Sequence, residues 1–166
     1  MPVHVAAAVA GIDRLVARME AATKQIAADA AHIIQANSMK EAPVGVAGNS
    51  TNAPGDLRRS IDVQGPVGGS GVYVAQVGPT VIYGRQRELG GHIFPKRAAY
   101  LAFFWGREPA NSNFPHLPDG RVLLRHVYQK PNPYMARGEA GSYGEIEAVA
   151  RVRVAEAVVG GVSHGG

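Results

Sequence analysis

The sequence contains no cysteine, which excludes disulfide bonds, thiol nucleophiles and cysteine-ligated metal sites. It also lacks a long hydrophobic run. The apolar stretch from Val3 to Ala10 is far shorter than the roughly 20 residues of a membrane-spanning helix. No basic segment accompanies it, as would be typical of a secretion signal. We therefore expect no membrane partner.

Charged residues are few, at 18% of the chain, which is low for a globular protein. The 17 lysines and arginines outnumber the 13 acidic residues and give a net charge of +4. They are scattered, and Arg58-Arg59 and Lys96-Arg97 are the only adjacent basic pairs. The low charge favours a subunit that buries surface against neighbours. The net charge keeps open a second hypothesis, a small basic DNA-binding protein, which steeply salt-dependent duplex binding would identify.

A chain of 166 residues is typical of one domain, taken here as 1–166 with a core over about 11–159 and mobile ends. Apolar residues recur at three- and four-residue steps over 11–40, which predicts one long amphipathic helix. They are Ile12, Leu15, Val16, Met19, Ala22, Ile26, Ala30 and Ile33. Pro43 ends the helix, because proline disfavours helical backbone in the residue before it.

Short apolar segments alternate with loops rich in glycine, proline and asparagine in the rest of the chain. The predicted elements are a strand over Leu57–Val63, a turn over Gly65–Gly71, a strand over Val72–Val77 that pairs with the first strand as a hairpin, a strand or helical turn over Val81–Leu89, strands over Ala98–Trp105 and Val122–Tyr128, and a helix over Tyr143–Val159. Loops over 44–55 and 106–120 are expected to be exposed and mobile. The predicted fold class is α+β, with the long N-terminal helix packed on a small antiparallel sheet and a C-terminal helix.

Residues with catalytic or metal-binding chemistry form no recognisable motif. The 6 histidines show neither the spacing nor the neighbouring carboxylate of a zinc motif. A metal site would require His116 and His126 to meet across the predicted hairpin, and histidines without convergent partners rarely bind metal. The segment 65–71 lacks the spacing and the lysine of a phosphate-binding loop. We expect no catalytic residue, metal or cofactor, and therefore no enzyme.

The aromatic run of Tyr100, Phe103, Phe104 and Trp105 has two interpretations. Exposed rings could stack on the bases of single-stranded nucleic acid. Alternation along a strand, however, places Phe103 and Trp105 on one face and Phe104 on the other. We favour one face in the core and the other at a subunit contact, where aromatic residues concentrate binding energy.

Three local patterns follow one another along the chain. Residues 41–44 (Glu-Ala-Pro-Val) end the long helix and lead to 55–61 (Gly-Asp-Leu-Arg-Arg-Ser-Ile). Val77-Gly78 precedes Tyr83-Gly84 and Glu88-Leu89-Gly90. Residues 100–103 (Tyr-Leu-Ala-Phe), expected to pair with 122–127, precede 132–135 (Asn-Pro-Tyr-Met). Over about 21–159, these patterns resemble the tail-component family of long-tailed bacteriophages, also described as tail-completion or neck proteins. The loops 45–54 and 106–120 are longer than in many relatives.

The resemblance implies a structural virion protein at the head–tail junction or the top of the tail, in a tail-completion, tail-terminator or neck role. It implies a ring of identical subunits, six-fold in symmetry, closed by heterologous contacts. Its partners would be copies of itself and the adjacent neck, stopper or tail-tube proteins. Genomic DNA would pass through the channel without sequence readout. The protein would be located in the virion, after assembly in the host cytoplasm. A virion-associated enzyme is the remote alternative.

Nine residues are candidates for an oligomer or partner interface. Arg58 and Arg59 lie at a predicted strand start, where a planar guanidinium can reach a carboxylate on a neighbouring subunit. The others are Arg85, Arg87, Glu88, Phe104, Asn111, Phe114 and His116. A role in folding within one subunit is the alternative for each of them.

Overall fold

A computed structural model describes residues 3–45, 53–103 and 113–160, with side chains from residue 8 onward. The first element is α1 (Val3–Glu41), one helix of 39 residues and about 58 Å in length. Its alanine-rich middle has high intrinsic helix propensity. The predicted long helix is confirmed, and it begins at Val3 instead of Gly11.

A hairpin of β1 (Ile61–Gly69) and β2 (Val72–Pro79) lies along α1. At one end the Gln35 side-chain amide donates to the carbonyl oxygen of Ile61 at 2.8 Å. At the other end the backbone N–H of Ser70 donates to the carboxylate of Glu20 at 3.0 Å. The predicted pairing of these strands is confirmed. The turn is shorter than predicted, because β1 continues to Gly69 through a shift in register.

The strand predicted over Leu57–Val63 is wrong in its first half, since Asp56–Arg59 form a short helix, α2. The Asp56 carboxylate accepts a backbone N–H from the preceding turn at 2.7 Å, which favours a helical start. The helical turn directs Leu57 into the core, where it is 5% exposed. Over so few residues, an alternating apolar pattern fits one helical turn as well as a strand.

The middle of the chain is a long interrupted hairpin that follows α3 (Tyr83–Leu89). Its outer ladder joins β3 (Gly91–Ile93) to β6 (Val127–Gln129), and its inner ladder joins β4 (Leu101–Phe103) to β5 (Val122–Leu124). The strand predicted over Val122–Tyr128 is therefore two strands. The extended conformation is interrupted at Arg125 and His126, and each of the two strands pairs with a different strand. The described strands form three two-stranded ladders in place of one sheet.

Two helices complete the chain, α4 (Tyr134–Ala140) and α5 (Tyr143–Val159). The predicted terminal helix is confirmed with the same bounds, whereas α4 was not predicted. α5 runs antiparallel to α1: Asn37 donates to the Ser142 hydroxyl at 3.0 Å, and Arg153 donates to Asp29 at 3.0 Å. The α+β class is confirmed, with helices and a hairpin all packed on α1.

The centre of the core is Tyr134, which is fully buried where α4 meets the end of α1. The buried residues around it are Ala42, Leu57 and Ile61. Its hydroxyl donates to the carbonyl oxygen of Gly84 at 3.3 Å. Burial, together with the nearby Glu88 and Tyr83, raises the pKa of Tyr134 to about 12. The phenol therefore stays neutral at physiological pH and remains available as a hydrogen-bond donor.

The closest helix contact predicts the effect of one added methyl group. A Cβ on Gly138 of α4 would lie 2.5 Å from the backbone N and Cα of Ser38, so Gly138→Ala should lower the free energy of unfolding by about 1–3 kcal/mol. A Cβ on Gly144 of α5 meets nothing within 4 Å, so Gly144→Ala should raise it by about 0.5–1 kcal/mol. Urea denaturation measures both, and equal effects would contradict this packing.

The ion pair between α1 and α5 predicts a pH dependence. Hydrogen bonds from Gln25 and Arg153, with the charge of Arg153, lower the pKa of Asp29 below its ordinary value of 3.8. A depressed carboxyl pKa stabilises the folded state above the ordinary pKa, and this stabilisation is lost as the pH falls through the folded-state pKa. Asp29→Asn should cost less than about 1 kcal/mol of unfolding free energy at neutral pH. The cost should fade below about pH 4, while the exposed-site control Asp13→Asn should show little effect.

Candidate assembly surfaces

The N-terminal end of α1 extends beyond the elements that pack on it. The hairpin turn reaches α1 at Glu20, and the end of α5 lies beside Arg18. From residue 8 to residue 17, every residue except Ala10 is exposed. Residues 3–17 are therefore a helical extension about 22 Å long, which we call the projecting segment.

An apolar row follows one side of the projecting segment. Val9, Ile12 and Val16 recur at three- and four-residue steps and so lie on the same side of the helix, with Leu15 beside them. Ile12 and Val16 are 63% and 59% exposed. The stripe that predicted the helix thus continues into a part of α1 that no other described element covers.

The outer face of α5 carries a second apolar surface. A shallow groove of about 660 Å³ follows it. The residues that line it are Glu147, Ala150, Arg151, Val154, Ala155, Val158 and Val159. Val158 and Val159 are 50% and 64% exposed. We call this groove the α5 strip, and it faces away from the Arg153 contact that joins α5 to α1.

The β1–β2 hairpin presents a third apolar surface. Tyr73 faces α1, where its hydroxyl donates to Glu20 at 3.2 Å, and desolvation and the Glu20 charge raise the pKa of Tyr73. Alternation directs Val72 and Val74 to the opposite side. Val67, paired with Val74, is exposed on the same hairpin. These three valines are 55–70% exposed, so one side of this ladder is uncovered among the described residues.

Two of the predicted interface residues bind helix ends within the subunit. The Arg58 guanidinium donates to two carbonyl oxygens at the end of α1, at 3.4 and 3.5 Å, where helical carbonyls lack partners of their own. The Glu88 carboxylate accepts the backbone N–H groups of Met135 and Ala136 at 2.9 and 3.2 Å. It therefore caps the N-terminus of α4 and complements its dipole.

The other predicted arginines are more exposed. Arg59 forms an ion pair with Asp56, and its side chain is 61% exposed. Arg85 and Arg87 are exposed on α3. The structure therefore places Arg58 against the end of α1, Arg59 beside the turn that precedes α2, and the other two arginines with Glu88 on α3.

The remaining candidates belong to the predicted 106–120 loop or its border. Phe114 is half-buried, and His116 forms an antiparallel bridge with Val122. Phe104 and Asn111 lie outside the described residues, as do 46–52 of the predicted 44–55 loop. The described part of the 106–120 loop folds back against β5 through His116.

A cavity of about 540 Å³ lies between the end of α1, α2, α3 and the β3–β6 ladder. Its polar lining includes Asp56, Tyr83, Gln86, Arg87 and Gln129. Asp56 is already bonded to Arg59, and the Gln86 side chain donates to the carbonyl oxygen of Gly90 at 3.0 Å. The described lining residues therefore form no nucleophile–base pair. No three histidine, aspartate or glutamate side chains converge as metal ligands in the described ranges.

An exposed cluster of four rings on the β3–β6 ladder was not predicted from the sequence. The ring centroid of His92 lies 5.2 Å from that of Tyr128 and 5.4 Å from that of His126. Phe94 lies 5.7 Å from His126. The sequence does contain a signal for this cluster: histidine, an aromatic residue and lysine alternate over 92–96 and again over 126–130. Alternation would have predicted a shared face on each strand, but not that the two strands pair.

The contacts of Arg58 and Glu88 with helix ends predict that their removal lowers the free energy of unfolding, whereas removal of the exposed Arg85 or Arg87 does not. Arg58→Ala and Glu88→Ala should each lower the free energy of unfolding by about 1–2 kcal/mol, because helix-end carbonyls or N–H groups lose their partners. Arg85→Ala and Arg87→Ala should change it by less than about 0.5 kcal/mol. Chemical denaturation of the four variants measures this, and comparable losses at Arg85 or Arg87 would refute the distinction.

No protein-family model, curated protein or solved structure matches this chain. The helices in the described ranges are each too short or too polar to cross a lipid bilayer. The structural features that bear on function are therefore the three apolar surfaces of the described residues.

Proposed function

We propose that this protein is a structural subunit of a tailed bacteriophage that forms a closed ring at the head–tail junction or the top of the tail. The observation that carries the proposal is the apolar surface left uncovered. Among the described residues, eighteen large hydrophobic side chains are exposed, while four are buried: Leu57, Ile61, Val122 and Tyr134. Scattered exposed apolar residues are ordinary. Continuous apolar surfaces instead mark contacts with other proteins.

The placement in a phage neck or tail is supported by the resemblance of 41–61, 77–90 and 100–135 to tail-component proteins. The fold is compatible with that resemblance. It has a long helix that ends before Pro43, a hairpin after it, and terminal helices that follow Pro133. Such a protein acts by geometry and not by chemistry, so its residues are expected to serve contacts between subunits.

A ring requires two different surfaces on each subunit, one for the preceding copy and one for the next. The projecting segment and the α5 strip are two such surfaces. In the proposed contact, the apolar row of one copy packs along the α5 strip of its neighbour, so that Ile12 and Val16 cover Val154 and Val158. Both surfaces are helical rows, and packed helices approach to about 8–10 Å between their axes.

The charges beside these two surfaces allow the contact. Asp13 lies beside the apolar row on the helix, whereas Arg14 lies on the opposite side of the helix. Glu147 and Arg151 form an ion pair of 2.6 Å at the edge of the α5 strip. Asp13 of one copy can therefore pair with Arg151 of the next across the contact.

The hairpin surface of Val67, Val72 and Val74 remains open in this arrangement. It is suited to the adjoining neck, stopper or tail-tube protein, which would cover the uncovered side of the β1–β2 ladder. Burial of one valine side chain contributes about 1.5–3 kcal/mol, so three exposed valines form a substantial contact. A second ring stacked on the first is the natural occupant.

The double substitution Ile12→Glu and Val16→Glu tests the ring contact. Two carboxylates without partners would be buried in it, which is strongly unfavourable, so the variant should remain monomeric. Light scattering after gel filtration should give the wild-type protein a mass of about six copies, and electron microscopy should show closed rings. Lys24→Glu, an exposed change on the packed part of α1, is the matched control and should still form rings.

A wild-type protein that stays monomeric at every concentration and is absent from purified virions would exclude the proposed function. Rings that persist in the double variant would retain the ring but exclude this contact. Circular dichroism of both variants establishes that α1 remains helical, so that a loss of mass reports on assembly and not on unfolding.

A further inference from the structure

One five-residue pattern occurs twice in the sequence. Residues 92–96 read His-Ile-Phe-Pro-Lys, and residues 126–130 read His-Val-Tyr-Gln-Lys. The first copy begins in β3 and the second includes β6. Because β3 and β6 are antiparallel, the two copies run in opposite directions and are related by an approximate two-fold axis.

The pairing gathers the rings of both copies into one row. His92 lies opposite Tyr128 in the ladder register, with ring centroids 5.2 Å apart. Phe94 and His126 are the corresponding pair from the other ends of the pattern, at 5.7 Å. The two histidines join the pairs at 5.4 Å. The four rings therefore form a continuous surface.

This surface faces solvent while the other side of the ladder faces the subunit. Phe94 is 63% exposed and Tyr128 58% exposed. Ile93 and Gln129, which alternate with them, line the internal cavity. The N–H of Asn132, just beyond β6, donates to a carbonyl oxygen of α3 at 2.9 Å, so the ladder is held in place from behind.

Lysines stand at both ends of the ring row. Lys96 lies two residues beyond Phe94, and Lys130 lies two residues beyond Tyr128, and both are exposed. Since the two strands run in opposite directions, these lysines are at opposite ends of the surface. We call the four rings and two lysines the ring platform.

The net positive charge of the chain lies in the segment that carries this platform. Residues 91–131 contain six lysines and arginines but two acidic residues, whereas the rest of the chain contains eleven of each sign. The whole net charge of +4 therefore belongs to the segment that carries the rings. Such a distribution attracts a polyanion to this part of the surface.

We propose that the ring platform binds single-stranded nucleic acid. Unpaired bases stack on the exposed faces of Phe94 and Tyr128, and the backbone phosphates pair with Lys96 and Lys130. Aromatic side chains on a positively charged surface are the combination that binds single strands without reading their sequence. This inference concerns a surface separate from the projecting segment and the α5 strip, and it does not depend on ring formation.

A purely structural role, or a different acidic partner, would use only part of the platform. Cross-strand ring pairs stabilise a ladder, but that role does not require lysines at both ends or a concentrated net charge. A DNA duplex or an acidic protein would be attracted by the lysines, but neither presents unpaired base faces to the rings. Of these partners, only single-stranded nucleic acid would contact both the rings and the lysines.

The test measures binding of the full-length protein to a fluorescently labelled oligothymidylate of about 15 nucleotides by anisotropy. Phe94→Leu and Tyr128→Leu should each weaken binding about five-fold or more, because leucine keeps apolar contact but offers no ring for stacking. Tyr128→Phe should retain wild-type affinity. Tyr143→Leu, which removes an exposed ring of similar exposure (61%) elsewhere, should have no effect.

A salt series tests the two lysines. Affinity for single strands falls with salt by a slope of about 0.7 for each neutralised phosphate. Replacing both Lys96 and Lys130 with alanine should therefore reduce the slope by about 1.4. The same double change at Lys24 and Lys40 leaves the net charge identical to that of the platform variant and should leave the slope near the wild-type value.

Four results would overturn the proposal. The first is no binding of the wild-type protein to the oligonucleotide, and the second is equal or tighter binding of the same strand annealed to its complement. The third is equal competition by polyglutamate of matched charge, which would assign the surface to an acidic protein. The fourth is wild-type affinity in correctly folded leucine variants, which would leave the rings a role in ladder stability only.

Discussion

One long helix supports the β1–β2 hairpin and the two C-terminal helices of this protein, and this constraint determines what stays exposed. The helices α4 and α5 and the β1–β2 hairpin all pack on α1, between its residue 18 and its end at Glu41. A single supporting helix provides no second layer to cover the outer face of α5, the far side of the hairpin or the first turns of α1. These uncovered surfaces are apolar, so the shape of the fold itself favours association with other chains.

A cluster of buried residues lies where α1 ends. Tyr134 is buried there, Arg58 binds the free carbonyls of α1, and Glu88 caps α4 from α3. Arg58 and Glu88 thus supply hydrogen-bond partners to helix-end groups that have none within their own helices. The residues that a short motif singles out as contacts between subunits can therefore serve the same chemistry within one subunit.

The segments that pack on α1 and the segment that carries the β3–β6 ladder differ in net charge. The helices α1, α4 and α5 and the β1–β2 hairpin lie in residues 1–90 and 132–166, which together contain eleven acidic and eleven basic residues, whereas residues 91–131 carry the whole excess of positive charge. A neutral framework can pack against copies of itself without electrostatic repulsion, while a basic extension stays available to a polyanion. The proposed self-association through the helices and the proposed nucleic-acid binding through the β3–β6 ladder are thus compatible in one subunit.

The sequence by itself determined the elements that local forces specify. The periodicity of 11–40, the alternation in Val72–Val77 and the terminal pattern over Tyr143–Val159 each predicted the observed element, because many residues in each agree on one conformation. Residues 56–59 were too few for the helical and strand periods to differ, so only the burial of Leu57 against Tyr134 decided that turn. The pairing of the strands was likewise determined by tertiary contacts and not by the local sequence. The break at Arg125 and His126, the meeting of His92 with Tyr128, and the use of Glu88 as a cap depend on groups far apart along the chain, and no local pattern records such distances.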